Sequence, residues 1–463
     1  MLDRLATGSA RLDEILEGGL LGNAINLITG VPGSGKTILS QQVVFHNATK
    51  ERPAIYFSTL SEPLDKILRY GESLSFFDQR AVRDGRVIYE DIGQQLGEHG
   101  IEEVPAEIDR RLRERRPAIV VIDSFRGFKA VSPDLAAYRR FLYDLVRRLT
   151  ATAVTSIWNA PYSRSQVLDE AEAAVADSIV ALDIKQVSER ELRVLQILKL
   201  RGSGYRSGEH VYRVSARGIE PFPRLADVKD QAAYDMSRDH TPTGISALDQ
   251  LLQDGGYWAG ATTLVVGPSG VGKTLMGLHF LFRGAELGDP GILATFQETR
   301  TQLSRIAATF GWSLDNPDVH VMSRGLVDLY IDEWVYDLLE AIEKTGARRI
   351  VVDSLLDLMA AAGDVIRFRE WMFSLSQRLT RAGVSLMFIM EVPDLFQLDR
   401  VSEYGVSHLA DNVILLQYVQ EGAELARALT VLKTRAMHHQ PTVRRYEITS
   451  QGFELGNPLT PVR

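Results

Sequence analysis

Two stretches, GVPGSGKT at Gly30–Thr37 and GPSGVGKT at Gly267–Thr274, decide how this chain is read. Each follows a short apolar run and precedes a stretch with helical spacing. The pattern G-x-x-x-x-G-K-[ST] bends a backbone closely around a polyphosphate, so that its N–H groups and the positive end of the next helix face the anion. One such match arises by chance in roughly two per cent of chains this long. Two matches, each between an apolar run and a helix, point to paired nucleotide sites. The binding candidates are Gly30, Gly33, Ser34, Gly35, Lys36 and Thr37 in the first, and Gly267, Gly270, Val271, Gly272, Lys273 and Thr274 in the second. Lys36 and Lys273 would reach the β- and γ-phosphates of ATP, and Thr37 and Thr274 would bind Mg²⁺.

Working outward from these loops, the chain reads as a duplication. Thr7-Gly8, Leu12-Asp13 and Gly18-Gly19 lead into the first loop, and Thr243-Gly244, Leu248-Asp249 and Gly255-Gly256 into the second. Downstream, IVVIDS at Ile119–Ser124 answers IVVDS at Ile350–Ser354, and ILKLRG at Ile197–Gly202 answers VLKTRA at Val431–Ala436. Gly267 lies 237 residues after Gly30, Asp353 lies 230 after Asp123 and Lys433 lies 234 after Lys199. A near-constant long offset means two copies of one domain. The polar stretch Pro221–Thr241 separates them, and the predicted domains are 1–228 and 229–463.

Ala24–Thr29, Ala54–Ser58, Ile119–Ile122 and Ala153–Trp158 read as strands, as do Thr262–Val266, Gly291–Phe296, Ile350–Val352 and Val384–Met390. Apolar runs without alternation belong to parallel sheets covered on both faces. Ile38–Thr49 and Ala106–Arg116 have helical spacing. The fold class is α/β: two tandem P-loop domains with mainly parallel central sheets.

Composition sets bounds. The 463 residues are 45% hydrophobic and 24% charged, the balance of a soluble globular protein. No apolar stretch approaches the ~20 residues that span a bilayer. Met1-Leu2-Asp3-Arg4 opens no signal peptide. The absence of cysteine excludes thiol catalysis and fits a cytoplasmic protein. A net charge of −8 argues against non-specific nucleic-acid binding.

Asp123 and Asp353 each close an apolar strand, where a carboxylate would hold the water shell of Mg²⁺. Glu62 and Glu298, after the strand that follows each P-loop helix, are the candidate catalytic bases; the alternative is a solvated loop carboxylate. AEIDRRLRERR at Ala106–Arg116 holds five arginines, but Glu107, Asp109 and Glu114 intersperse it at spacings that favour intrahelical pairs. His438-His439 lacks a third ligand at a recognised metal spacing.

The two-copy layout resembles the KaiC family of clock-like ATPases, a branch of the RecA superfamily, over nearly the whole chain, which implies two tandem RecA-like domains. The TG…LD lead-ins, the LKLRG segment near residue 200 and DNVILLQYV at Asp411–Val419 carry the likeness. The resemblance implies a homo-hexameric double ring with ATP at subunit interfaces. It also implies that Lys199, Arg201, Lys433 and Arg435 reach into a neighbour's site. On spacing alone these four are also consistent with solvated strand residues, because alternation puts a lysine and an arginine two apart on one side.

The sequence departs from the family pattern in several places. Ser61 and Gln297 stand where the first of two adjacent glutamates is expected. VLKTRA lacks the glycine of the usual segment, and Ser407-His408 replaces a Ser-Thr phosphosite pair. The resulting expectation is a regulatory ATPase read by a protein partner, with Ser407 the candidate autophosphorylation site. A DNA-directed RecA- or DnaB-type motor is the competing class.

Overall fold

The computed structural model describes residues 3–60, 64–187, 190–225, 239–252, 255–325, 329–392, 409–421, 423–435 and 438–459. The chain divides into two compact units, Met1–Asp227 and Val228–Arg463. Residues 226–238 of the separating stretch lie outside the described residues, as do Glu62 and Ser407.

The main sheet of the first unit has nine strands: Ile25–Gly30 (β1), Ala54–Ser58 (β2), Val87–Asp91 (β3), Ile119–Asp123 (β4), Thr155–Ala160 (β5), Ser178–Val187 (β6), Arg190–Leu200 (β7), His210–Ser215 (β8) and Gly218–Phe222 (β9). The main sheet of the second also has nine: Thr262–Gly267 (β10), Gly291–Thr295 (β11), Val319–Ser323 (β12), Arg349–Asp353 (β13), Ser385–Glu391 (β14), Asn412–Glu421 (β15), Glu424–Thr434 (β16), Arg444–Thr449 (β17) and Gly452–Pro458 (β18). Their spatial orders are β3-β2-β4-β5-β1-β6-β7-β8-β9 and β12-β11-β13-β14-β10-β15-β16-β17-β18. Each strand of one unit therefore has its counterpart in the other. Six strands of each sheet are parallel, and the last three turn back as an antiparallel meander.

The central strands are buried on both faces. Ile55, Phe57, Val120 and Ile122 join one apolar cluster, while Ala54, Tyr56, Ile119 and Val121, alternating with them, join another on the opposite face. Helices supply both covers, which explains the unbroken apolar runs. Matched caps start matched helices: Asp134 accepts from the Ala137 N–H before Leu135–Ala151, and Asp364 from the Arg367 N–H before Val365–Arg381. Among the described residues, no helix is long and apolar enough to cross a membrane.

All eight predicted strands form; Ala54–Ser58 keeps its predicted ends, and the others shift by one or two residues. The run from Ala153 begins as a strand only at Thr155, because Ala153 turns with φ of 51°. Strand β13 starts one residue early, at Arg349. That arginine is 1% exposed, yet its guanidinium meets Asp289 at 3.2 Å and the carbonyls of Pro242 and Phe280 at 2.8 and 3.0 Å. Three such partners let a buried charge extend the strand rather than end it, with Nε left unpartnered among the described residues.

Candidate functional site

Strand β1 delivers Gly30 to the C-terminal edge of its sheet, and β10 delivers Gly267 to the same place. The local sequence makes the loop that follows obligatory. A side chain at Gly30, where φ is +154°, would put its Cβ 2.0 Å from the Leu182 carbonyl oxygen, and one at Gly267 would lie 2.4 Å from that of Leu416. Gly35 and Gly272 adopt left-handed φ values of 96° and 97° as they cap the helices Lys36–Asn47 and Lys273–Leu287. Those helix starts turn their free N–H groups toward the loop.

The loops are braced from behind. The Tyr212 hydroxyl donates to the Ser34 carbonyl at 2.6 Å, and the Tyr446 hydroxyl to the Val271 carbonyl at 2.5 Å. Both tyrosines come from the meander strands β8 and β17, 178 and 175 residues from the carbonyls they hold. Sequence reasoning missed this pair, though their matched place in the two copies was a signal.

At each loop's end the predicted lysine, threonine and aspartate come together. The Lys36 ammonium donates to the carbonyls of Gly30 and Val31 at 2.8 and 3.0 Å. Thr37 Oγ1 donates to Asp123 Oδ2 at 2.7 Å, and the Tyr56 hydroxyl donates to the same oxygen. In the second unit Thr274 Oγ1 donates to Asp353 Oδ2 at 2.6 Å, and Lys273 donates to the Pro268 carbonyl at 2.7 Å. Burial lowers the proton affinity of Lys36 and Lys273, opposed by Asp123 in the first and mainly by Glu391 in the second. Burial raises that of Asp353, while Thr274 pulls it down. A half-buried Lys36 or buried Lys273, with a threonine–carboxylate pair beside open backbone N–H groups, suits a polyphosphate and a hard cation. Next to the first loop, Lys36, Thr37, Gln41, Ile67 and Tyr70 line a cleft of about 370 Å³.

The candidate bases stand differently. Glu298 is half-buried, with Oε2 buried and without a partner among the described residues. Burial, then the charge of Asp353, pushes its carboxyl up to about 7. Neighbouring Gln297 turns to Asp357, its amide 3.1 Å from each carboxylate oxygen. Glu298 is thus a carboxylate raised by burial and by the charge of Asp353 into the range where a group can take a proton at neutral pH.

Lys199 and Arg201 lie at the opposite edge of their sheet. The Lys199 ammonium donates to the Ala173 carbonyl at 2.9 Å, and Arg201 meets Asp177 Oδ1 at 3.1 Å. Asp177 Oδ2 accepts from the Ile25 N–H, at the start of β1. From Ile25 to Gly30 the strand spans about 17 Å. The second unit repeats this: Lys433 donates to the Ala410 carbonyl at 2.7 Å, and Arg435 reaches Asp411, which holds the Thr262 N–H at the start of β10. In each pairing of the sixth and seventh strands the register shifts just before the lysine, at Leu198 and Leu432. Such a bulge re-aims the residues after it.

Other features singled out in the sequence have local partners. Arg110 pairs with Glu107 and Glu114, Arg111 with Glu107 and Glu90, and Arg113 with Asp109. His439 Nδ1 lies 3.0 Å from Thr434 Oγ1. Trp334 and Trp371 are buried, and Trp312 stacks on Phe282.

Comparison with known proteins covers both units. A family model described as "ATPase: KaiC" matches residues 5–226 and again 241–459. Among similar proteins is the circadian clock oscillator protein KaiC of Picosynechococcus sp., 28% identical over 466 residues, 96% of this chain and 88% of that one. The circadian clock protein KaiC3 of Synechocystis sp. is 26% identical over 480 residues, all of this chain and 93% of that one.

Proposed function

The chain belongs to the KaiC family of ATPases, and from that membership we propose a regulatory ATPase that hydrolyses ATP at the interfaces of a homo-hexameric double ring. The carrying observation is the place of the two cation pairs. Lys199 and Arg201 sit about 17 Å along the sheet from their own P-loop, at the strand's other end. Lys433 and Arg435 repeat the arrangement. That distance from their own loops supports a role at a neighbour's site, and head-to-tail contacts of this kind close into rings.

Within one site the roles follow from chemistry. Lys36 and Lys273 bind the β- and γ-phosphates, and the loop N–H groups hold their oxygens. Thr37 with Asp123, and Thr274 with Asp353, hold Mg²⁺, which would neutralise phosphate charge when bound. Glu298 takes the proton of the attacking water in the second unit, a role we assign to Glu62 in the first. The partner's Lys and Arg meet charge that builds on the γ-phosphoryl group. Ring conformation, set by which nucleotide is bound, is the output presented to a protein partner.

Mixed rings test this. Arg201→Ala should lower ATP turnover far more than ATP binding, by up to about 10³–10⁵ for an arginine acting on the transition state. A subunit lacking Arg201 should still turn over ATP at its own site when its neighbour is intact. Light scattering with ATP should find about six chain masses. A strict monomer, or an Arg201→Ala protein with undiminished turnover, would remove the trans role.

A further inference from the structure

The two P-loop lysines differ in one respect that the duplication does not predict. Strand β14 places Glu391 directly across from Gly267, the first glycine of the second loop. Its Oε2 lies 3.3 Å from the Lys273 ammonium. In the first unit Ala160 is the last partner of β1, opposite Thr29, and Pro161 follows where Glu391 would stand. Among the described residues Lys36 donates to backbone carbonyls and to no carboxylate.

An ammonium has three N–H donors. Lys36 and Lys273 each give two away, Lys36 to two loop carbonyls and Lys273 to the Pro268 carbonyl and Glu391, so donor number is equal and what differs is the negative charge that Glu391 brings. A γ-phosphate adds negative charge that a diphosphate lacks, so this carboxylate opposes the triphosphate more. The Glu391 side chain is 52% exposed and can turn to solvent. Until it turns, its charge faces the incoming γ-phosphate in a place already crowded by Asp353 and Glu298.

We propose that Glu391 is a specificity-determining residue that makes the second site discriminate against the triphosphate in favour of the diphosphate, a bias the first site lacks. This rests on the nucleotide reading of Gly267–Thr274 and deepens it. The second site would then hold ADP longer than the first at equal concentrations. It would switch to the ATP state only when the ATP-to-ADP ratio is high, so the two units would report on nucleotide at different set points.

The test uses the full chain carrying Lys36→Ala, which leaves only the second site, and compares it with the same chain also carrying Glu391→Gln. Calorimetric titration with Mg-ATP and Mg-ADP should show Glu391→Gln tightening ATP by roughly tenfold, the worth of relieving one like-charge contact at ~5 Å in a partly solvated site. ADP affinity should change by less than about threefold, since the neutral amide still accepts from Lys273. Binding of both nucleotides with an unchanged ATP-to-ADP ratio would overturn the discrimination and leave the site assignment intact. Failure of the Lys36→Ala chain to bind either nucleotide would overturn the site assignment and the discrimination together.

Discussion

Lowering the pH should weaken the second unit through His279, a buried residue of the P-loop helix Lys273–Leu287. The residue is 8% exposed; its ring lies edge-on to Trp312 at 4.7 Å, packs near Phe310 and Phe453 and leaves Nε2 buried without a partner among the described residues. Burial pushes its pKa down from 6.5 to about 4. The folded chain therefore keeps the imidazole neutral where the unfolded chain binds a proton, so the associated stability is present above about pH 6.5 and is lost as pH falls toward 4. A gap of this size corresponds to about 3 kcal/mol in full, of which about 2 kcal/mol is gone at pH 5. Glu298, Asp249 and Asp353, whose proton affinities burial raises, work in the opposite sense. Wild-type protein alone is thus not diagnostic. His279→Gln is the control, because the matching residue of the first unit is Gln42, whose side chain accepts from the Ile219 N–H at 2.8 Å. Urea unfolding followed by tryptophan fluorescence, at pH 7.5 and 5.0, should show wild type losing about 2 kcal/mol more than His279→Gln. Equal pH dependence in the two proteins would refute the reasoning.

Three further outcomes are expected. Lys36→Ala with Lys273→Ala should abolish Mg-ATP binding in calorimetry; wild-type affinity in the double variant would mean that the sites lie elsewhere. Gly30→Ala, whose new Cβ would press on the Leu182 carbonyl at 2.0 Å, should destabilise the first unit by about 1–3 kcal/mol in urea unfolding and weaken its nucleotide binding, and an unchanged midpoint would show that the loop yields freely. Incubation with labelled ATP should deposit weak label at Ser407, found by mapping the peptide 396–412; no label over many hours with both sites filled would leave the chain an ATPase alone.

Much of the fold was legible because fully buried parallel strands leave an unmistakable apolar run, and eight such runs became strands. The edge strands Val87–Asp91 and Val319–Ser323 were not, since each is wholly buried only at its first residue and mixes polar with apolar side chains. Arg349 looked like a boundary because its partners, Asp289 and two carbonyls, are not adjacent to it in sequence. The P-loops, Asp123 and Asp353 were legible from motif and position. Glu391 was not, because 118 residues separate it from Lys273 and only the pairing of β10 with β14 joins them. The spacing of Lys199 and Arg201 indicated a shared side but not the bulge at Leu198, nor that both lie at the far end of the strand from their own loop.

The strand order also sets a timetable for synthesis. Strand β1 lies between β5 and β6, so its first partner begins only at Thr155. At about 5–20 residues per second, this apolar segment waits roughly 6–25 s on the ribosome before it can pair. Two homologous repeats made in succession risk exchanging such orphan segments, the usual misassembly of tandem domains. Here the first sheet is complete at Phe222, and the second unit's central strand does not begin until Thr262. That interval gives the first unit a head start of roughly 2–8 s. The nascent chain therefore never presents two unpaired central strands at once, and the close likeness of the repeats need not lead to swapping.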